Sequence, residues 1–230
     1  MRDEDLRRTT MLDSPGSTPR RSDDDPLKVA IIYYSATGSV HQLAQSVADG
    51  ARDAHGSVRV VRVAETVSRD IVERNPLWAR HIDTTTAVPI ATLADVRAAD
   101  VLLLGSPTRF GHVTSQMQAF IDTWGELWGE NAFQDKVFAA FTASATKHGG
   151  QETTLMSIYT MVCHLGGIIV PPGYTEPVQF ETGNPYGAST VSDNGQRPPT
   201  EADLRSAYVV GHRATTVARD LRTGRSINPR

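Results

Sequence analysis

Three observations predict an α/β protein built on a doubly wound parallel sheet with helices on both faces. Short runs rich in Val, Ile, Leu and Phe alternate with stretches of 3.6-residue amphipathic spacing. The short runs are apolar throughout, as strands buried on both faces require. Three of them empty into hydroxyl- and glycine-rich loops that lead into a helix, which is the connection found at the carboxyl edge of a parallel sheet.

In chain order, strands are expected over residues 28–34, 58–63, 101–105, 136–141 and 167–170. Helices are expected over residues 41–54, where Leu43, Ala44, Val47, Ala48 and Ala51 share a face, and over 116–127, where Met117, Phe120, Ile121 and Trp124 do. Two more are expected over 151–165 (Leu155, Ile158, Tyr159, Val162) and 201–221 (Leu204, Tyr208, Val209, Val217). Residues 64–92 and 173–200 break the alternation. They are rich in Pro, Thr, Asn or Gly and are expected to be long loops serving function or assembly.

The chain of 230 residues is 39% hydrophobic and 21% charged, enough for one substantial core, with one domain expected over residues 27–222. Residues 1–26 combine Arg2, Asp3, Glu4, Asp5, Arg7 and Arg8 with few large apolar side chains and are expected to form a disordered leader. Residues 223–230 are expected to be a tail. The leader has no apolar stretch of the kind a secretory signal needs, and no segment approaches the length of a membrane span. A net charge of -3 with scattered basic residues gives no footprint for a nucleic-acid partner. The lone Cys163 cannot form an intramolecular disulfide and fits a reducing cytoplasm.

The chemistry begins at the end of the first strand, where Ser35, Ala36, Thr37, Gly38, Ser39 and Val40 form a loop into a helix. The first N–H groups of a helix lack partners inside it, so such a loop cradles anions. Ser35, Thr37 and Ser39 add hydroxyl donors, and Gly38 lets the backbone approach a ligand. Neither G-x-x-x-x-G-K-[ST] nor G-x-G-x-x-G is present. One glycine, no lysine and several hydroxyls suit the terminal phosphate of a mononucleotide such as FMN; the plain alternative is a turn whose Ser or Thr caps the helix.

In a doubly wound sheet, ligands sit outside the carboxyl ends of the strands where strand order reverses, so the loops after strands one, three and four should converge. The second loop is Ser106 to His112, in which Pro107, Thr108, Arg109 and Phe110 offer an aromatic and a permanent cation to a flat heterocycle; the plain alternative is a surface turn. The third runs through Thr142, Ala143, Ser144, Ala145, Thr146, Lys147, His148 and Gly149, again small and hydroxyl-rich. The seven histidines (41, 55, 81, 112, 148, 164 and 212) show no metal-ligand spacing, and no nucleophilic triad is evident.

Taken in order, Tyr33-Tyr34-Ser35-x-x-Gly38, Pro107-Thr108-Arg109-Phe110-Gly111, Gln116-Met117, Leu127-Trp128, Gly149-Gly150-Gln151-Glu152, Val170-Pro171-x-Gly173-Tyr174 and Pro185-Tyr186-Gly187-Ala188 resemble the WrbA family of FMN-dependent NAD(P)H:quinone oxidoreductases. The resemblance covers about residues 28–221. It implies a flavodoxin-like fold with five parallel strands in the order 2-1-3-4-5. It also implies FMN as cofactor, with its phosphate on Ser35 to Val40, its ring bordered by Pro107 to Phe110, and Ala143 to Gly149 giving backbone contacts.

His164 matches a flavin-contacting histidine, Trp128 a substrate-pocket position and Thr37 a contact of the nicotinamide donor. From the residues alone, His164 is a helix C-terminal cation and Trp128 is core. The chain departs from the family pattern at Ser39, where His or Asn is common, and at Ala145, Lys147 and His148, where some members have glycines.

The resemblance further implies that NADH or NADPH passes a hydride to the flavin, that a quinone takes it in a ping-pong sequence, that the protein contributes no covalent catalyst, and that the assembly is a homotetramer. Two rivals stand beside it. One is a single-electron carrier, which the mild charge disfavours; the other is an FMN-binding regulatory protein without turnover.

Overall fold

Strand β1 (Lys28–Tyr33) shows how composition makes the sheet: Val29, Ile31 and Tyr33 face one side, Ala30 and Ile32 the other, and all five are buried. A strand with two apolar faces needs cover on both. The computed structural model describes residues 25–227. The leader expected over residues 1–26 lies almost wholly outside them.

β1 pairs in parallel with β2 (Ser57–Arg62) on one side and β3 (Val101–Pro107) on the other, in register Ile31↔Val60 and Ile31↔Leu103. β3 pairs with β4 (Val137–Ser144), which pairs with β5 (Ile168–Ile169), giving the expected order β2-β1-β3-β4-β5. The strand order reverses between β1 and β3, which fixes where a ligand can lie.

Helix α1 (Ser39–Asp53) packs on α9 (Glu201–Ile227) over one face. Their approach is so close that a Cβ at Gly50 would stand 2.0 Å from the Tyr208 carbonyl oxygen, and one at Gly211 2.0 Å from that of Val47. The other face is covered by α4 (Leu93–Ala98), α5 (Ser115–Asp122), α6 (Gly125–Gly129) and α7 (Gln151–Leu165) around Ile32, Leu102, Leu104, Trp124, Phe133 and Phe138.

Four expectations need correction. Residues 64–92 are not one loop: α2 (Arg69–Val72) and α3 (Pro76–Thr84) lie in them, α3 being started by Asn75, whose side chain accepts from the Leu77 and Trp78 amides, and by Pro76 in the first turn. Residues 173–200 hold α8 (Pro177–Thr182), β6 (Ala188–Val191) and a 3-10 turn (Asp193–Gly195). β6 pairs with Phe141 to Ser144 while β5 pairs with Val137 and Phe138, so two short strands share one edge of β4. The helix expected over 116–127 is broken at Thr123, and α9 runs to Ile227, so the expected tail begins inside a helix; residues 228–230 lie outside the description.

Candidate functional site

The loop after β1 has the form an anion needs. Ala36, Ser39 and Val40 are buried, and Gly38 caps α1 in a left-handed conformation (φ 100°) with no side-chain hydrogen bond to the helix. The Gly38 amide donates to Ser35 Oγ at 3.1 Å, and the Gly38 carbonyl accepts from Gln42. The amides of the first turn are therefore left without a protein cap, and no acidic side chain stands in that turn.

The second loop is a tight turn closed by mutual Arg109–His112 backbone hydrogen bonds of 2.8 and 3.1 Å. At its tip Phe110 is fully exposed and held at φ 53°, a conformation that bulky residues rarely adopt. Thr108 anchors the turn: its amide donates to the Ala143 carbonyl (2.9 Å), and its Oγ1 accepts from the Gly111 amide (3.1 Å) and from Thr154 Oγ1 (2.8 Å).

In the third loop Ala143 and Ser144 are buried while Thr146, Lys147 and His148 are exposed. Ser144 Oγ donates to the Thr146 carbonyl (2.6 Å) and accepts from Gln151 Nε2 (2.9 Å). A Cβ at Gly149 would come within 2.7 Å of Ser144 Cβ, so that turn has room for glycine alone.

The three loops meet. A Cβ at Gly150 would stand 2.9 Å from Gly111 Cα, joining the second and third. The first and third are joined through residues 192–195: the Ser192 amide donates to the Ser144 carbonyl (2.8 Å), the Asp193 amide to that of Ala145 (3.2 Å), and Gly195 lies against Thr37, where a Cβ would be 2.5 Å from Thr37 Cβ. Asp193, Asn194 and Gly195 all have positive φ (45°, 55° and 90°), so three successive left-handed residues aim this bridge.

Trp128 and His164 are brought together, but away from this rim. The Trp128 indole N–H donates to the His164 carbonyl at 3.3 Å, and Trp128 is 59% exposed rather than core. His164 is in the last turn of α7, whose first residue Gln151 touches Ser144; 15 residues at about 1.5 Å each put roughly 20 Å between them. One chain does not bring both ends of α7 to one ligand.

Three further groups flank the rim unannounced by the sequence pattern. Glu65 accepts from Tyr34, Trp78, Gln116 and its neighbours' amides, and burial followed by this carboxylate pushes the Tyr34 hydroxyl pKa up. Tyr33 and His41 share a 2.5 Å hydrogen bond, and the His81 ring lies 5.4 Å from that of His41. Burial raises Tyr33 to about 12 and lowers both imidazoles, His81 to about 4 with help from His41 and Arg62. Asn75-Pro76 was the one local signal that could have placed α3, and so His81, near a helix.

A cleft lined by Leu27, Arg97, Asp100, Lys136, Arg222 and Arg225 lies at the amino ends of the strands, opposite the loops. It shares no residue with them.

An open parallel sheet with a bare helix start and three hydroxyl-lined loops at its switch point defines a flavodoxin-like, mononucleotide-binding protein. A profile of the NADPH-dependent FMN reductase family matches residues 27–178, and the chain belongs to this family. It is 45% identical over 182 residues, 79% of this chain and 90% of the other, to an NAD(P)H dehydrogenase (quinone) of Deinococcus radiodurans. It is 42% identical to one of Azorhizobium caulinodans over 84% of this chain and 98% of that one. Among solved structures it is similar to a flavodoxin, WrbA-like protein from Agrobacterium tumefaciens, with a TM-score of 0.61, 25% identity and coverage of 84% and 98%.

Proposed function

We propose that this chain is an FMN-dependent NAD(P)H:quinone oxidoreductase. The observation that carries the reading is the junction of three loops at the switch point around a buried, uncapped helix start, a cradle shaped for one phosphate with a flat group beside it. Relatives named NAD(P)H dehydrogenase (quinone), at 45% and 42% identity, support the redox chemistry.

Ser35 to Val40 hold the phosphate, Pro107 to Phe110 border the ring, and the backbone of Ala143 to Gly149 meets its polar edge. Thr37, pinned by Gly195, keeps the donor side of the rim rigid. When bound, FMN supplies acceptance and delivery of a hydride. The protein's part is to orient and to exclude water, the fixed Thr108–Thr154–Gly150 contacts making the rim preorganised.

Trp128 and His164 serve the site of a neighbouring chain within a homotetramer. Exposed Phe110 (101%), Phe180 (69%) and Trp128 (59%) support such an assembly. Among the described residues no helix is long and apolar enough to cross a membrane. We place the protein in the cytoplasm on the strength of the exposed free thiol of Cys163.

The test is protein incubated with FMN, freed of excess by gel filtration, and assayed for NADH and NADPH oxidation with benzoquinone. Retained flavin absorbance and parallel double-reciprocal plots are expected. Flavin retained without turnover would turn the reading toward an electron carrier, and colourless protein would end it.

A further inference from the structure

Above the phosphate loop stands a pair of imidazoles that the family's motifs do not assign here. His81 reaches the loop from α3: a Cβ built on Gly38 would lie 3.4 Å from His81 Nδ1, so the ring is in van der Waals range of the residue that caps α1. Behind it is His41 in the first turn of α1, ring centroids 5.4 Å apart, and behind that the Tyr33 hydroxyl, 2.5 Å from His41 Nδ1. Among the described residues neither ring nitrogen of His81 makes a hydrogen bond.

We propose that His81, backed by His41, closes the phosphate cradle of FMN from the side opposite the α1 amides, giving a ring N–H to the phosphate and taking up a proton as it binds. This rests on the FMN reading above. The amides of α1 supply partial positive charge from below, but a phosphomonoester carries close to two negative charges at neutral pH. The groups acting on His81 are His41 from α1 and Arg62 from β2, with Tyr33 from β1 bonded to the far partner, His41. On its own helix the nearest carboxylate, Asp83, is paired with Arg69.

With no acid beside it and two basic neighbours, the imidazole is held neutral in the flavin-free protein, and burial adds to this. An arriving dianion reverses the balance, because an opposite charge within hydrogen-bond reach favours the protonated ring. The proton comes from solvent: one N–H bond forms on the ring as one O–H bond of hydronium breaks, and no covalent bond to FMN is made.

Binding of FMN and of riboflavin, which lacks the phosphate, to the flavin-free full-length chain is measured by titration calorimetry at pH 6 and pH 8. Two buffers of different ionisation enthalpy count protons taken up. For His81→Gln, FMN affinity falls about tenfold at pH 6, the effect of one charge-assisted hydrogen bond, while riboflavin affinity is unchanged. Proton uptake per FMN is smaller in the variant than in the wild type; the phosphate's own titration is common to both and cancels. His81→Lys restores FMN binding and flattens its pH dependence, which a merely structural His81 would not allow.

Equal FMN affinity and proton uptake in wild type and His81→Gln, or equal losses for FMN and riboflavin, overturn the proposal while the cofactor reading stands. Wild-type protein that binds neither flavin overturns both.

Discussion

The Tyr34 hydroxyl donates to Glu65 Oε2 at 2.7 Å, joining the end of β1 to the segment that carries α3. The same carboxylate accepts from Trp78 Nε1 (3.2 Å), Gln116 Nε2 (2.7 Å) and the amides of Thr66 and Val67 (2.9 and 3.0 Å). One side chain thus orders five donors from four parts of the chain.

Glu65→Gln replaces an acceptor-only group by one whose NH2 faces donors. A loss of about 2–3 kcal/mol is expected, read as a lower midpoint in urea with unchanged slope. A variant as stable as the parent would show that the carboxylate does not organise this segment.

Gly50 and Gly211 each sit where a Cβ would meet backbone at 2.0 Å. Since backbone cannot move aside as a side-chain tip can, Gly211→Ala forces α1 and α9 apart and is expected to cost about 1–3 kcal/mol or more. A thermal melt measures it, and Gly224→Ala on the same helix, with nothing within 4 Å, is the control.

Gly195→Ala acts on the ligand rather than the core. It strains a residue at φ 90° and drives a methyl into Thr37. FMN affinity is expected to fall by about tenfold or more, since small misplacements of a preorganised loop are costly; fluorescence titration of FMN decides it.

In the flavin-free protein the His81 imidazole is held down to about 4 by burial and by His41 and Arg62, against an ordinary value of 6.5. The unfolded chain therefore binds the extra proton between pH 6.5 and 4 and the folded one does not, so stability is fully present above 6.5 and falls as pH drops through this window. Melting temperatures taken at pH 7, 6 and 5 should decline more steeply for the parent than for His81→Gln.

Trp128→Ala removes an exposed indole about 20 Å along α7 from the chain's own loops. If neighbouring chains complete each site, the quinone KM rises several-fold while FMN affinity is retained. No change in KM would remove Trp128 from the substrate pocket.

The sheet was legible because strands buried on both faces write continuous apolar runs, and β1, β3 and β4 fall within a few residues of expectation. β6 was not, since Ala188, Ser189 and Thr190 are small and polar and become buried only against the end of β4. The loop we propose holds the phosphate stood out in the sequence through Gly38 among hydroxyls. His81 did not, because a histidine in an exposed-looking helix carries no local sign of the loop it will touch.

Local pattern settled the type of the long strands and helices and the places of the three loops, for these follow from periodicity and from what a residue can do with its own neighbours; the strand order 2-1-3-4-5 came only with the family resemblance. Folding decided which distant groups meet: Glu65 with Tyr34, Gly195 with Thr37, His81 with Gly38, and Trp128 with His164 at the wrong end of α7 for its own site. Such meetings depend on packing across tens of residues, and a contact between remote positions leaves no periodic trace in either.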